Sequence, residues 1–332
     1  MTRIFSGIKP TGHMTLGNYL GAVRQWVAAD QEPDDALFCV VDLHALTVEH
    51  EPARVRRLSR QAATLLIAAG LDPRRCTLFV QSHVDEHTRL AYLLECTATD
   101  GELRRMIQYR EKAAKAQAVG DGVRLSLLTY PVLMAADILA YGAGEVPVGE
   151  DQRQHVELTR DLAVRFNQRY GHTFTVPQAT HPAVAARVMD LQDPTSKMGK
   201  SHENGAGIVY LLDEPEVVRR KVMRAVTDSG DGAVVHDRET RPGVANLLDI
   251  LAACTGGDPA ALAEGYSGYG ALKRDVADAV LELLRPLRER HAELAADPSQ
   301  VDEVLREGAE RARGLARPVV DRAYEAIGLL RP

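Results

Sequence analysis

The sequence predicts an α/β protein with a mainly parallel sheet, helices on both of its faces, and an all-helical C-terminal part. Three observations predict it. Short apolar runs alternate with helical stretches through the first half of the chain. The first run leads through a glycine-bearing loop into a helix. From about residue 191 the strand-like runs stop and helical periodicity dominates.

The opening stretch reads Ile4-Phe5-Ser6-Gly7-Ile8-Lys9-Pro10-Thr11-Gly12-His13-Met14-Thr15-Leu16-Gly17-Asn18-Tyr19-Leu20-Gly21. An apolar strand comes first, then a turn-rich loop with Gly7, Pro10 and Gly12. A helix begins near Leu16, because Leu16, Leu20, Val23 and Val27 recur at spacings of four and three. Strand, loop and helix gather unpaired backbone N–H groups at one spot, which favours phosphate. The glycines let a ligand approach the backbone, and they serve equally well as plain turn residues.

Residues 37–41 are a continuous apolar run, short enough for a buried strand, ending in Asp42-Leu43-His44. Val55, Leu58, Ala62, Leu65 and Ala69 mark a helix that stops at Gly70. Residues 78–80 form the next strand, followed by Gln81-Ser82-His83. Helical crossovers imply parallel pairing, and hence a Rossmann-like sheet. Ligands of such sheets lie outside the carboxyl ends of the strands. That places His44, Gln81 and His83 for ligand contact, each being as readily a surface or satisfied core residue.

Residues 102–119 read as a charged helix, with Arg104, Arg105, Arg110, Lys112 and Lys115 opposed by Glu102 and Glu111: a solvated face. Residues 127–139 read as an apolar helix with Pro131 at its start. Tyr130, Met134 and Asp137 share one face of it. A carboxylate on an apolar helix is costly without a partner, so this face is either a small pocket wall or an edge reaching water. Residues 145–148 read as a short strand. Gly149-Glu150-Asp151-Gln152 then turns into a helix carrying Leu158, Leu162 and Phe166. Glu150 and Asp151 complement the helix dipole there, and are placed to accept ribose hydroxyls.

Beyond residue 191 comes Asp193-Pro194-Thr195-Ser196-Lys197-Met198-Gly199-Lys200-Ser201, a polar loop with two lysines able to meet a polyphosphate, or simply a basic linker. Residues 217–225 carry Arg219, Arg220, Lys221 and Arg224. Val276, Val280, Leu283 and Leu287 mark a further helix. Leu305, Ala309, Ala312, Leu315, Val319, Ala323 and Ile327 form a last apolar stripe interrupted by Pro318. The expected division is a catalytic part over residues 1–190, a lysine loop and helical domain over 191–298, and a C-terminal helix over 299–332 packing back on the body.

The totals agree with this picture. The 332 residues suffice for two domains, and 45% hydrophobic with 26% charged residues is an ordinary globular balance. No apolar run is long enough to span a bilayer and the first residues do not read as a signal peptide, so a cytoplasmic protein without membrane contact is expected. Cys39, Cys76, Cys96 and Cys254 are scattered, which predicts thiols rather than disulfides and no structural metal. A net charge of −6 argues against indiscriminate nucleic-acid binding and leaves room for a local basic face.

Taken together, the order and spacing of the opening loop, the Asp137 helix, the Gly149-Glu150-Asp151-Gln152 turn and Lys197-Met198-Gly199-Lys200-Ser201 resemble the class I aminoacyl-tRNA synthetases. Within that class the likeness is to the bacterial tryptophan-specific family, over essentially the whole chain. The family's HIGH element corresponds to Thr15-Leu16-Gly17-Asn18, without His13, and its KMSKS element to residues 197–201. The resemblance implies activation of tryptophan by ATP with Mg²⁺, release of pyrophosphate, and transfer to tRNA(Trp) by a homodimer. It assigns catalysis to Lys197, Lys200, Thr15 and Asn18. It assigns ATP to Lys9, Pro10, Thr11, Gly17, Asn18, Gly149, Glu150, Asp151, the Val188 backbone, Lys197, Met198, Gly199, Lys200 and Ser201. Tryptophan falls to Asp137 as acceptor of the indole N–H, to Met134 against the ring, to Tyr130 and Gln152 on the amino group, and to Phe5 and His44 closing the pocket. Mg²⁺ is expected on the ATP phosphates. Lys9 stands where that family commonly has glutamine, and Gly199 replaces its usual middle serine.

Three other readings compete: a tyrosine-specific enzyme of the same subclass, a small-molecule nucleotidyltransferase, and a synthetase-like RNA-binding protein that charges no tRNA. Asp137 and its face oppose the first, the helical C-terminal half the second, and the retained lysines the third.

Overall fold

The structure, a computed structural model, describes residues 3–28, 35–118, 120, 122–180, 187–199, 205–227 and 233–330. Five strands form one parallel sheet: β1 (Ile4–Ile8), β2 (Ala36–Val40), β3 (Thr77–Val80), β4 (Glu145–Pro147) and β5 (Gln178–Thr180). Their order is β3-β2-β1-β4-β5, with Phe5 opposite Leu37, Phe38 opposite Leu78, and Val146 opposite Ala179. The chain winds outward from β1 to β3, then returns to the other side of β1 to lay down β4 and β5. The β1–β4 boundary is therefore where the strand order reverses, the place at which such sheets bind ligands.

The β1–β2 crossover holds α1 (Leu16–Asn18), a π-helical turn (Tyr19–Val23) and α2 (Arg24–Ala28). Between β2 and β3 runs α3 (Pro52–Ala68). Between β3 and β4 lie α4 (Glu86–Glu95), α5 (Asp100–Arg105), α6 (Ile107–Ala118) and α7 (Leu125–Leu139), and α8 (Arg153–Tyr170) joins β4 to β5. The rest is helical: α9 (Pro215–Met223), α10 (Pro242–Thr255), α11 (Pro259–Ala263), α12 (Tyr269–Ala296) and α13 (Pro298–Ala326).

Alternate residues of each strand face opposite sides, and each side has its own core. Ile8, Phe38, Val40 and Leu78 pack with Leu16, Leu65, Leu247, Leu248, Val276 and Val280. Phe5, Leu37, Cys39 and Phe79 pack with Leu90, Val132, Ala136 and Phe166. The first core runs through residue 190, since Val188, Leu191, Met198 and Ile208 join Ile8 and Leu16 in it. Helix α13 supplies both cores, with Val301 and Leu305 on one side and Ala309, Ala312 and Val320 on the other, so it lies over the β3 edge. Approach is close enough that a Cβ on Gly308 would sit 1.8 Å from the Leu78 carbonyl oxygen. The Arg311 guanidinium donates to the carbonyls of Pro73 and Cys76, and Arg313 to that of His83.

Several elements differ from expectation. Helix α7 starts at Leu125, so Pro131 lies inside it rather than at its start. The ring is buried, and the apolar burial of the helix outweighs one missing backbone bond. The stretch expected as one helix over 102–119 is two over its described residues, α5 and α6, separated at Met106 with its extended ψ of 126°. Strand β5 has no apolar signature and is held by backbone pairing to β4. In α9, Arg219 pairs with Asp278 and Lys221 with Asp213, so two of its cations serve the fold. All four cysteines are free, Cys39 and Cys76 being buried. Among the described residues no helix is long and apolar enough to cross a membrane.

Candidate active site

A cavity of ≈ 380 Å³ opens at the switch point, between the carboxyl ends of β1 and β4. All six residues expected around the amino-acid substrate line it: Phe5, His44, Tyr130, Met134, Asp137 and Gln152. The helical spacing of Tyr130, Met134 and Asp137 does bring them to one wall. The apolar remainder comes from Val41, Ile138, Val146 and Val148.

Asp137 is 1% exposed, so it is no solvent-reaching edge residue. Its Oδ1 accepts from Gln81 Nε2 at 2.7 Å and lies 2.6 Å from His87 Nδ1. Its Oδ2 lies 2.8 Å from His44 Nε2 and accepts from Gln81 Nε2 at 2.9 Å. Burial alone would push this carboxyl up. The His87 and His44 imidazoles and their hydrogen bonds override that and hold it at about 2, so it is a carboxylate. Gln81 and His83 do not line the cavity: Gln81 is a buried partner of Asp137, and the His83 carbonyl holds Arg313.

Tyr130 Oη lies 2.8 Å from His155 Nε2 and donates to Gln108 Oε1 at 3.3 Å. Burial raises the phenol's pKa, keeping it protonated. Burial, Lys112 and His44 lower His155 to about 4, so the ring is neutral at pH 7. Among the described residues its buried Nδ1 has no hydrogen-bond partner.

Two ammonium groups face the same space. Lys9 Nζ donates to Thr47 Oγ1 at 3.1 Å, and Lys112 Nζ donates to Gln108 Oε1 at 3.0 Å and sits 5.1 Å from the Tyr130 ring centre. Burial and the Lys112 charge lower Lys9 to about 8, and burial lowers Lys112 as well. Lys9 is half-buried and Lys112 stands exposed at the cavity's edge, and two like charges at one opening favour a polyanion. Lys112, Gln108 and His155 were not singled out from sequence. Gln108 and Lys112 stand four apart on one helical face, which a charged surface helix shows just as often.

Beside the cavity the opening loop meets the lysine loop. Thr15 is fully buried and caps α1: its Oγ1 accepts from Asn18 N–H at 3.2 Å, while Asn18 Oδ1 accepts from Thr15 N–H at 3.1 Å. Thr15, expected among the catalytic residues, therefore has its hydroxyl engaged in the helix cap and does not line the cavity. Thr15 Oγ1 also donates to the Met198 carbonyl at 3.3 Å, and a Cβ on Gly17 would sit 3.0 Å from that oxygen. Leu16 N–H donates to the Val209 carbonyl and Leu211 N–H to that of Met14. Met198, expected against adenine, is 3% exposed and packs in the core cluster with Ile8 and Leu16. Its N–H donates to the Val188 carbonyl.

The Thr195 and Ser196 hydroxyls donate to Asp193 at 2.6 and 2.7 Å, which orders the loop rather than facing a ligand. Lys197 is exposed, with Nζ 3.8 Å from where a Gly149 Cβ would be. Asp151 is exposed; its carbonyl holds Gln108 and its carboxylate Gln152. Pro10 and Thr11 belong to the loop after β1 and do not line the cavity, and Gly199 ends the described part of the lysine loop. Lys200, Ser201 and the Glu150 side chain lie outside the described residues. Among the described residues no three His, Cys, Asp or Glu side chains group as a metal site.

Comparison with known proteins agrees with this geometry. The family model described as tRNA synthetases class I (W and Y) matches residues 1–285. The chain is 76% identical over 332 residues to tryptophan–tRNA ligase 1 of Streptomyces coelicolor, covering all of this chain and 98% of that one. Its structure is similar to that of tryptophanyl-tRNA synthetase from Mycoplasma pneumoniae, with TM-score 0.90 at 35% identity, over 99% of this chain and 98% of that one. The Campylobacter jejuni tryptophanyl-tRNA synthetase complexed with ADP and tryptophan gives TM-score 0.84 at 31% identity, over 98% of this chain and all of that one.

Proposed function

The chain belongs to the class I tRNA synthetases of the tryptophan and tyrosine branch, and from that premise we propose that it charges tRNA(Trp) with tryptophan. L-tryptophan reacts with ATP to give tryptophanyl-adenylate and pyrophosphate, and the tryptophan then passes to the 3′ end of the tRNA. The carboxylate oxygen of tryptophan attacks the α-phosphorus and the bond to the pyrophosphate oxygen breaks. No protein nucleophile takes part, so catalysis consists of placing the two reactants and stabilising the charge that develops.

The observation that carries the choice of tryptophan is Asp137, an ionised, buried acceptor on the wall of an otherwise apolar slot. The indole N–H donates to it. Phenylalanine has no N–H to give the carboxylate, and a hydrogen bond to a buried charge that one substrate makes and its rival cannot is what separates them. Met134 and Phe5 take the ring, Tyr130 and Gln152 the amino group, and His44 closes the slot. ATP lies across the β1 and β4 ends. Gly17, Asn18, Gly149 and Asp151 take the ribose and adenine side, with Pro10, Thr11, Val188 and Met198 shaping that wall from behind. Lys9, Lys112, Lys197 and Lys200 take the phosphates, next to Gly199 and Ser201. Mg²⁺ arrives on ATP as part of the substrate.

The enzyme works as a cytoplasmic homodimer in this reading. Large exposed apolar side chains on α4, α6 and α7, namely Tyr92, Ile107 and Leu125, offer surface to a second copy. The test is amino-acid-dependent ATP–pyrophosphate exchange with tryptophan, tyrosine and phenylalanine. Exchange with tryptophan alone is expected, and exchange with tyrosine alone would move the substrate assignment to the other branch of the family.

A further inference from the structure

We propose that His87, locked by Tyr141, is a specificity-determining positioning residue that holds the Asp137 carboxylate aimed at an N–H donor of the substrate. The proposal deepens the reading above and rests on Asp137 being the indole acceptor. His87 opens α4 and is fully buried. Its Nδ1 lies 2.6 Å from Asp137 Oδ1 and its Nε2 lies 2.7 Å from Tyr141 Oη. An ionised carboxylate only accepts, so Nδ1 carries the proton. Its other nitrogen, Nε2, is then paired with the Tyr141 hydroxyl, and Tyr141 is also fully buried.

Gln81 is fixed in the same way. Its Oε1 accepts from Leu43 N–H at 3.0 Å, which leaves its amide N–H groups for Asp137. Neither His87, Gln81 nor Tyr141 lines the cavity, so all three act through Asp137. Its third partner, His44, does line the cavity, and is the donor that an incoming N–H shares or replaces. The Tyr141 ring also stacks on Phe5 at 5.6 Å, so the relay backs a second wall of the slot.

The chemical consequence is discrimination. Without the His87 donor, Asp137 Oδ1 keeps only Gln81, less opposes the burial of the charge, and the carboxylate is no longer fixed in the orientation that meets a substrate N–H.

The test compares kcat/KM for tryptophan with that for 3-benzothienylalanine, in which sulfur replaces the N–H, by pyrophosphate exchange with the full chain. His87→Leu is expected to lower that ratio about tenfold, through the KM for tryptophan, with KM for ATP unchanged. His87→Gln, which can donate to Asp137 and accept from Tyr141, is expected to keep most of the ratio. Tyr141→Phe, the milder variant should His87→Leu not fold, is expected to raise KM for tryptophan about threefold and leave KM for ATP alone. An unchanged ratio in folded His87→Leu, or an unchanged tryptophan KM in Tyr141→Phe, overturns the proposal. Asp137→Asn separates the two levels. If it collapses the ratio while His87→Leu does not, the relay fails and the indole assignment stands. If it leaves the ratio intact, the indole assignment itself fails.

Discussion

Raising the pH from 7 to 9 titrates Lys9 in the ligand-free protein and weakens ATP binding. Burial, then the Lys112 charge, pull the Lys9 ammonium from its ordinary 10.5 to about 8. Phosphate oxygens beside it favour the charged form, so the complex keeps the proton that the free site gives up above pH 8. The free protein must therefore take up a proton to bind, and the apparent Kd for ATP grows as 1 + 10^(pH − 8). That factor is about 2 at pH 8 and about 11 at pH 9, roughly a tenfold loss from pH 7 to 9. The assay is calorimetric titration of ATP with Mg²⁺ at several pH values, in two buffers of different ionisation enthalpy. Proton uptake of about one half is expected at pH 8. Lys9→Gln is expected to remove most of the slope, with a remainder from Lys112, which burial also lowers. A Kd constant within about twofold over this range, or an equal slope in Lys9→Gln, would refute the reasoning.

Two glycines of α13 are expected to respond in opposite directions. Gly308→Ala drives a Cβ to within 1.8 Å of the Leu78 carbonyl and should destabilise by about 3 kcal/mol or more. Gly314→Ala meets nothing within 4 Å and should stabilise by roughly 0.5–1 kcal/mol through helix propensity; thermal denaturation of both reads the sign. His155 has a folded value of about 4 against an ordinary 6.5, so its contribution is complete above pH 6.5 and lost as the pH falls towards 4. The loss is about 3 kcal/mol, and His155→Gln should show a shallower decline in urea unfolding over that range. Gly17→Ala places a Cβ 3.0 Å from the Met198 carbonyl and pushes the lysine loop away by a few tenths of an ångström. Pyrophosphate exchange should slow about tenfold in kcat, with KM for tryptophan unchanged.

The sheet was legible because β2 and β3 are buried along their whole length and read as near-continuous apolar runs. Strand β5 was not, because its residues are partly exposed and its place depends on pairing with β4. Pro131 misled the start of α7, since a proline suits a first turn until the buried length of the helix is known. The amino-acid pocket was legible from one helical face together with the family resemblance. The supporting layer of His87, Tyr141, His155 and Lys112 was not. These residues reach the site through contacts 18 to 54 positions apart in the chain, and a lone histidine or lysine carries no periodic signal. The same distance hid the role of Met198, whose loop looked polar while its side chain enters the core.

The covering of β3 by α13 carries a consequence for biosynthesis. The ribosome makes the strand long before it makes the helix that shields it. Through that interval the nascent sheet ends in a row of unsatisfied backbone groups beside the apolar side chains Leu78 and Phe79, a template on which another chain can pair. The close fit at Gly308 then acts as a late lock. Its closing ends the period of risk, and chaperone dependence should concentrate in chains stalled before residue 298.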